Sequence, residues 1–333
     1  IGGISLIRAA AKNFNDVVII PSRNEYSFLL NLLNKNNGAS TIEDRRILAK
    51  RAFNISSHYD TSILNYFSSR QEPRSNGMSP VFKSPALTGA KTLRYGENPH
   101  QKGVFYGDLE AMFRQLHGKE LSYNNLLDID AAIGLMAEFS ETTFAILKHN
   151  NACGIATREN LIDAWKDALA GDPTSAFGGV LIANRNVEAE TAEEINKLFF
   201  EVIIAPSYDE RSLEILKQKK NRIILVHKET ELPKKQFRTI LNGVLEQEKD
   251  LKTDAIADMQ TVTETAPDEQ AKTDLEFANK LVKHSKSNTI ILAKNKQLLA
   301  SGVGQTSRVD ALEQAIAKAI RFEFNLSGAV MAS

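Results

Sequence analysis

Short apolar runs of strand length recur between stretches of helical pattern, and this alternation restricts the possible folds more than any other feature. Strands are predicted at residues 103–106, 143–147, 180–183, 202–205 and 222–226, and helices at 125–138, 158–170, 189–199 and 210–219. In the helix after Thr157, Leu161, Ala164, Trp165, Ala168 and Leu169 form one apolar stripe. Such alternation predicts an α/β fold around a mostly parallel sheet. The polar stretch at 245–274 reads as a connection to a second α/β unit. That unit has a helix at 275–283, a strand at 289–293, a turn at Asn295-Lys296, another strand, and a long helix opened by Ser307 and Asp310 as a capping box.

With 333 residues the chain has the length of about two domains. Residues 5–13 carry a helical pattern, DVVII at 16–20 reads as a buried strand, and helices follow at 25–34 and 41–67, the last opened by Thr41 and Asp44. The Ser-, Pro- and Gly-rich stretch at 68–85 marks a linker. Lysine plus arginine number 41, as do aspartate plus glutamate, so zero net charge gives no electrostatic case for nucleic acid or an anionic membrane. The single cysteine, Cys153, excludes an internal disulfide and a cysteine-based zinc site, and suits a reducing cytoplasm. No apolar run approaches the roughly 18 residues of a membrane span. The start at Ile1 and the apolar end LSGAVMAS both read as cuts within a longer protein.

Four segments carry residues able to do chemistry. In ILKHNNACGIAT an apolar strand ends by delivering Lys148 and His149 side by side, at the kind of strand end where α/β folds gather ligands. A solvent-exposed loop pair is the plain alternative. Neighbours on a regular strand point to opposite faces, so both enter one pocket only if the strand breaks, which Asn150-Asn151 and Gly154 permit. LRYGENPHQ (93–101) crowds Arg94, Glu97, Asn98, His100 and Gln101 around a turn. GDPTSAFGG (171–179) combines small residues with Asp172, a carboxylate able to accept from ribose hydroxyls. SGVGQTSR (301–308) is a glycine-containing turn before a helix N-terminus. A Cys153–His149 nucleophile is conceivable, although a small buried cysteine is the commoner case. His58, His117 and His227 lie in unremarkable contexts. A weak echo links KHNNACG with KHSKSNT, as two related subdomains would produce.

The segments IGGISLIRAAAKN, LRYGENPHQ, LSYNNLLDIDAA, LKHNNACGIA, DPTSAFGGV, VKHSKSNTIILAKN, GVGQTSRVDA and GAVMAS together resemble one family, in family order across essentially the whole chain. It is the bifunctional purine-biosynthesis family that fuses aminoimidazole-carboxamide-ribonucleotide (AICAR) formyltransferase to IMP cyclohydrolase. The resemblance implies that residues 1–75 are the C-terminal part of a methylglyoxal-synthase-like cyclohydrolase domain, with Lys12 its matching lysine. A linker at 76–85 would follow. Two formyltransferase subdomains of cytidine-deaminase-like topology would then cover 86–245 and, with the connection and incomplete, 246–333. The same resemblance assigns Lys148 and His149 as catalytic and carries nucleotide binding onto Arg94, Tyr95, Asn125, Asp172, Asn288 and Arg308. It implies 10-formyltetrahydrofolate as cosubstrate, a potassium ion near Val282, Ser285, Ser287 and Thr289, no catalytic metal, and a cytoplasmic homodimer with sites between subunits. The family's usual KHTNPCG has proline where Ala152 stands. Its pattern also runs on past GAVMAS, so this chain as cut is expected to be inactive.

The implied chemistry explains the odd pair. The 5-amino group of AICAR is a poor nucleophile because its lone pair is drawn into the ring and carboxamide, and it must lose a proton as it attacks. A neutral histidine takes that proton, and a lysine held nearby stabilises the tetrahedral oxyanion. The lysine charge favours the neutral histidine, so repulsion that is awkward on a surface is useful in a pocket.

Overall fold

The computed structural model describes residues 2–69, 90–228 and 230–333. The chain divides into two compact units, residues 1–86 and 87–333; most of the linker expected at 68–85 lies outside the described residues.

The first unit is helical: α1 (Gly2–Lys12), α2 (Tyr26–Lys35) and α3 (Ile42–Ser69). Ala11, Ala49 and Ala52 are buried where α1 crosses α3, with Ile7, Phe14 and Ile19 packed against them. The predicted box opens α3: Thr41 N–H donates to Asp44 at 2.8 Å and Asp44 N–H to Thr41 Oγ1 at 3.2 Å. The strand expected at 16–20 does not form. Val17–Ile20 is irregular, because no strand among the described residues of this unit lies beside it to pair with.

The second unit begins with a ribbon of β1 (Ala90–Thr92) and β2 (Val104–Tyr106), then α4 (Leu109–Met112) and β3 (Phe113–His117). There follow α5 (Tyr123–Met136), β4 (Thr143–Lys148), β5 (Asn151–Thr157), α6 (Leu161–Gly171), the single turn α7 (Pro173–Ala176) and β6 (Val180–Ala183). Next come α8 (Ala189–Ile195), β7 (Val202–Ala205), α9 (Glu210–Leu216), β8 (Ile223–His227) and a separate hairpin of β9 (Lys235–Ile240) and β10 (Gly243–Glu248). The chain closes with α10 (Glu269–Lys283), β11 (Ile290–Lys294), β12 (Gln297–Gly302), α11 (Arg308–Arg321) and β13 (Val330–Ala332).

Nine strands form one mixed sheet in the order β13-β11-β12-β5-β4-β6-β7-β8-β3. Only β6–β7 and β7–β8 pair in parallel; the other neighbours are antiparallel. The expectation of a mostly parallel sheet is therefore corrected. Its error lay in taking residues after Leu147 as a loop into a helix. They turn back at once as β5, and a two-residue turn can join only antiparallel partners. Alternate residues of β4 serve the two faces. Ala145 and Leu147 pack with Ile129 and Ile133 of α5 and Phe277 of α10, whereas Phe144 and Ile146 pack with Trp165 and Ala168 of α6. Trp165 meets Phe144 edge-on at 5.1 Å, fully buried, as the stripe predicts. Such burial stabilises by about 2–3 kcal/mol per side chain.

An internal repeat organises the unit. The run α5-β4-β5-α6-β6 is matched by α10-β11-β12-α11-β13, the two joined where Gln297 of β12 pairs with Ala156 of β5. Each hairpin turns on two residues in the left-handed region, His149-Asn150 (φ 52° and 66°) and Asn295-Lys296 (φ 51° and 51°). In each repeat the helix before the hairpin aims an aspartate at the turn. Asp128 accepts from Asn150 N–H at 2.6 Å, and Asp274 from Asn295 and Lys296 N–H at 2.8 and 2.7 Å. The last residue of each first strand ties back to a loop carbonyl: Lys148 Nζ to Phe177 at 2.6 Å, Lys294 Nζ to Ser327 at 2.7 Å. Where helix meets hairpin, a Cβ on Gly154 would sit 1.8 Å from the Ala168 carbonyl oxygen, and one on Gly302 1.9 Å from that of Ala311, so only glycine fits either place. Lys148-His149 thus matches Lys294-Asn295. The echo in KHSKSNT is not the register of the repeat, because Lys283-His284 closes α10 instead.

Candidate active site

The first hairpin turn builds the site. β4 is buried through Leu147, and Lys148, half-buried, pairs with Asn151 across the turn. The break that lets neighbouring side chains share a pocket falls at His149-Asn150, one residue earlier than Asn150-Asn151. Asparagine and histidine tolerate the left-handed backbone that this two-residue turn requires. The Asn151 side chain donates to the His149 carbonyl at 2.7 Å. The Asn150 amide, oriented to donate, reaches the Leu127 carbonyl and Asp128 at 3.1 Å each. Asp128 therefore clamps the turn from α5. Burial pushes its carboxyl pKa up, against the pull of the Asn150 N–H and the nearby His149.

Lys148 and His149 line one cavity of about 320 Å³, with Cys153, Ser175, Lys286 and Lys318. Among the described residues, three lysines and no carboxylate line this space. Asp172 lies beneath it, 4% exposed. Its Oδ1 accepts from Ser175 N–H at 2.9 Å, and its Oδ2 accepts from Ser175 Oγ at 2.7 Å and lies 3.0 Å from Lys318 Nζ. Burial alone would raise its pKa; the Ser175 hydroxyl and amide and then Lys318 outweigh this and hold it below the ordinary value. Cys153 is buried, and that burial, helped by Asp172, pushes its thiol up to about 12, so it does not supply a thiolate nucleophile near neutral pH. Phe177 and Phe199 stack at 5.0 Å beside the tie to Lys148, both well exposed.

A second cavity, about 300 Å³, gathers other expected residues: Asn288 and Arg308, with Val282, Ser285, Ser287 and Thr289, beside Asp250 and Asp254. The segment 285–289 is the wall between the cavities, because Lys286 lines the first and its neighbours the second. Reciprocal bonds between Asn288 and Gln305 backbones, 3.2 and 3.1 Å, fix that wall. Arg94, Tyr95 and Asn125 line neither cavity. Arg94 is exposed, its guanidinium 5.5 Å from the Tyr95 ring. The turn it belongs to is tied to α5 by Asn124 Nδ2 donating to the Glu97 carbonyl at 3.1 Å. Asn125 forms a capping box with Ser122 and reaches Glu201 at 3.3 Å, which also pairs with Lys119 at 3.0 Å. Lys12 is exposed in the last turn of α1, in the other unit. Sequence reading missed Asp128, Glu201 and Lys318. Asp128 and Lys318 look like ordinary polar helix residues, and Glu201 like a strand flank; only the six-residue offset of Asp128 and Asp274 into their helices carried a signal. Of the histidines set aside, His117 Nε2 lies 3.2 Å from the Lys219 carbonyl and His227 stacks near Phe113.

Among the described residues no group of three or more His, Cys, Asp or Glu could hold a metal ion, and no helix is long and apolar enough to cross a membrane. The profile of the AICARFT/IMPCHase bienzyme family matches residues 10–318. The bifunctional purine biosynthesis protein PurH of Bacteroides thetaiotaomicron is 63% identical over all of this chain, which covers 64% of that relative. The PurH proteins of Caldicellulosiruptor saccharolyticus and Persephonella marina are 43% and 41% identical, with 65% and 66% of their lengths covered. The chain thus spans about two thirds, slightly less, of the curated relatives it matches, and with the family profile matching nearly its whole length it belongs to the AICARFT/IMPCHase bienzyme family.

Proposed function

We propose that this chain belongs to an enzyme of de novo purine biosynthesis that moves a formyl group from 10-formyltetrahydrofolate to the 5-amino group of AICAR, giving formyl-AICAR and tetrahydrofolate. The intact protein also closes formyl-AICAR to IMP, with Lys12 serving that second reaction. The observation that carries the reading is the left-handed turn that puts Lys148 and His149 on the wall of one lysine-lined cavity. His149 takes the proton from the attacking amine, and Lys148, with one of its three N–H groups on the Phe177 carbonyl, offers the others to the oxyanion. As the oxyanion collapses and the C–N bond to the folate breaks, the leaving nitrogen gains a proton from the protonated His149 or from Lys148. Asn288 and Arg308, across the wall, and Arg94, Tyr95 and Asn125 bind nucleotide. The last three line neither cavity of this chain, which favours a homodimer whose sites are completed between subunits. The two α-β-β-α-β repeats favour paired cytidine-deaminase-like subdomains, preceded by part of a methylglyoxal-synthase-like domain.

Potassium fits the second cavity by donor type. Ser285 and Thr289 donate their hydroxyl protons to the Leu281 and Gly302 carbonyls, leaving oxygen lone pairs free, as a hard cation requires. Ser287 and the nearby Asp250 and Asp254 add oxygens. The ion would supply fixed charge beside Asn288. The test is steady-state formyl transfer by the full-length protein. His149→Ala should lower kcat by about 10²–10⁴-fold with AICAR affinity nearly kept. Near-normal turnover with lost affinity would make His149 a binding residue and defeat the mechanism.

A further inference from the structure

Asp172 is matched to nucleotide binding by family resemblance, yet both of its oxygens are engaged within the chain and it is 4% exposed. What it holds is the short segment after α6. Asp172 caps the one-turn helix α7, and Phe177, which ends that turn, presents the carbonyl that receives Lys148 Nζ at 2.6 Å. A single turn has little stability of its own, so the place of this carbonyl depends on what anchors Asp172. Besides Ser175 within the turn, the anchor is Lys318, which comes from α11 in the other repeat. The second repeat supplies a comparison. Lys294 makes the same tie to Ser327, but there the loop is held by Asn325 accepting from Ser327 N–H at 2.9 Å, with no ion pair reaching across from the first repeat among the described residues. The buried ion pair occurs where the lysine faces a cavity.

We propose that Lys318 is a positioning residue for Lys148: through Asp172 and the turn to Phe177 it fixes the carbonyl that aims the Lys148 amine into the cleft. This rests on reading the cleft as the formyl-transfer site. An ammonium that spends one N–H on a carbonyl has the directions of its other two set by where that carbonyl lies. A displacement of about 1 Å at such a group costs on the order of 10²-fold in rate. Lys318 also belongs to the cavity lining, so it shields Asp172 from the cleft and keeps that carboxylate from competing for the Lys148 charge.

The experiment is a set of variants in the full-length protein, measured by single-turnover formyl transfer with enzyme in excess and by AICAR titration. Lys318→Met should lower the rate roughly 10- to 100-fold and move the AICAR Kd less than about threefold, and Lys318→Arg should recover part of the loss. In a Lys148→Met background, Lys318→Met should cost nothing further, because its effect runs through that amine. Ser175→Ala loosens the same turn without stranding a charge and should give the same pattern at smaller size, which keeps the test usable if Lys318→Met folds poorly. Equal losses with and without Lys148 would reduce Lys318 to a structural role and overturn the proposal. So would an unchanged rate, or an Asp172→Asn variant that loses AICAR affinity while keeping its rate. Absence of formyl transfer by the unaltered full-length protein would instead sink the parent reading.

Discussion

The turns at His149-Asn150 and Asn295-Lys296 share a backbone but not their surroundings. The second is fully bonded, although Asn295 is itself exposed. Asp274, 1% exposed, accepts both of its amides, the Lys296 ammonium pairs with Glu141 at 2.8 Å, the Lys296 carbonyl accepts from Thr157 N–H at 3.0 Å, and Arg158 donates to the Asn295 carbonyl at 2.7 Å. The first is half free. Asp128 takes the Asn150 amide, and His149 stays exposed at the edge of a cavity. Both turns keep the lysine tie and the aspartate clamp. These features therefore belong to the fold, and what separates the two turns is a histidine in place of asparagine and the cavity beside it.

The sharpest way to break this comparison is to exchange the turn residues. His149→Asn makes the first turn like the second; formyl transfer should fall by about 10²–10⁴-fold with melting temperature nearly unchanged, while Asn295→His should leave turnover as it was. Comparable losses from the two exchanges would refute the distinction. Next come the lysines. Lys148→Met should lower kcat by roughly 10²–10³-fold, as for one oxyanion donor. Lys294→Met should leave the kinetics alone and cost about 1 kcal/mol in denaturant unfolding.

The aspartates should rank the other way. Asp274→Ala strands two amides that a buried carboxylate holds and should destabilise by about 2–4 kcal/mol, against about 1–2 kcal/mol for Asp128→Ala, which strands one; urea unfolding at neutral pH separates the two. The smallest effect is on acid stability. Burial alone would raise the pKa values of Asp172 and Glu138. Ser175 and Lys318 outweigh it at Asp172, as do His284, Lys283 and Thr253 at Glu138, so both carboxyls lie below their ordinary values of 3.8 and 4.5. Their stabilisation is complete above those ordinary values and is lost as pH falls through the lowered folded ones. Asp128, raised by burial, has the opposite sign and becomes less costly on protonation. Urea midpoints from about pH 7 to about pH 3 should fall for the unaltered protein and flatten in part for Asp172→Asn.

Much of this was legible in the chain. The strands at 180–183 and 202–205 stand where their apolar runs predict, and the Trp165 stripe is buried as read. Ser307 caps α11 by accepting from Asp310 N–H at 3.0 Å. The strand β5 was not legible, because NACGIAT lacks the alternation or the β-branched run that marks a strand and owes its place to β4 and to the close approach of α6 at Gly154. The ribbon β9–β10 was not read either, although Asn242-Gly243 within FRTILNGVL is a hairpin signal; its strands are mostly exposed and bury no regular face.

The sequence alone determined the α/β alternation, the apolar face of α6, the helix caps, and the one place where a buried strand hands over a lysine and a histidine. These are properties of neighbours along the chain, set by side-chain periodicity and local hydrogen bonding. The tertiary structure decided the antiparallel course of most of the sheet, the match of the first turn to Asn295 rather than His284, the confinement of Asp172 by Lys318, and the separation of Asn288 and Arg308 from Lys148 by one strip of backbone. Those depend on which distant segments meet, and a polar side chain on a helix carries the same pattern whether it ends in water or, as Lys318 does, against a buried carboxylate from another repeat.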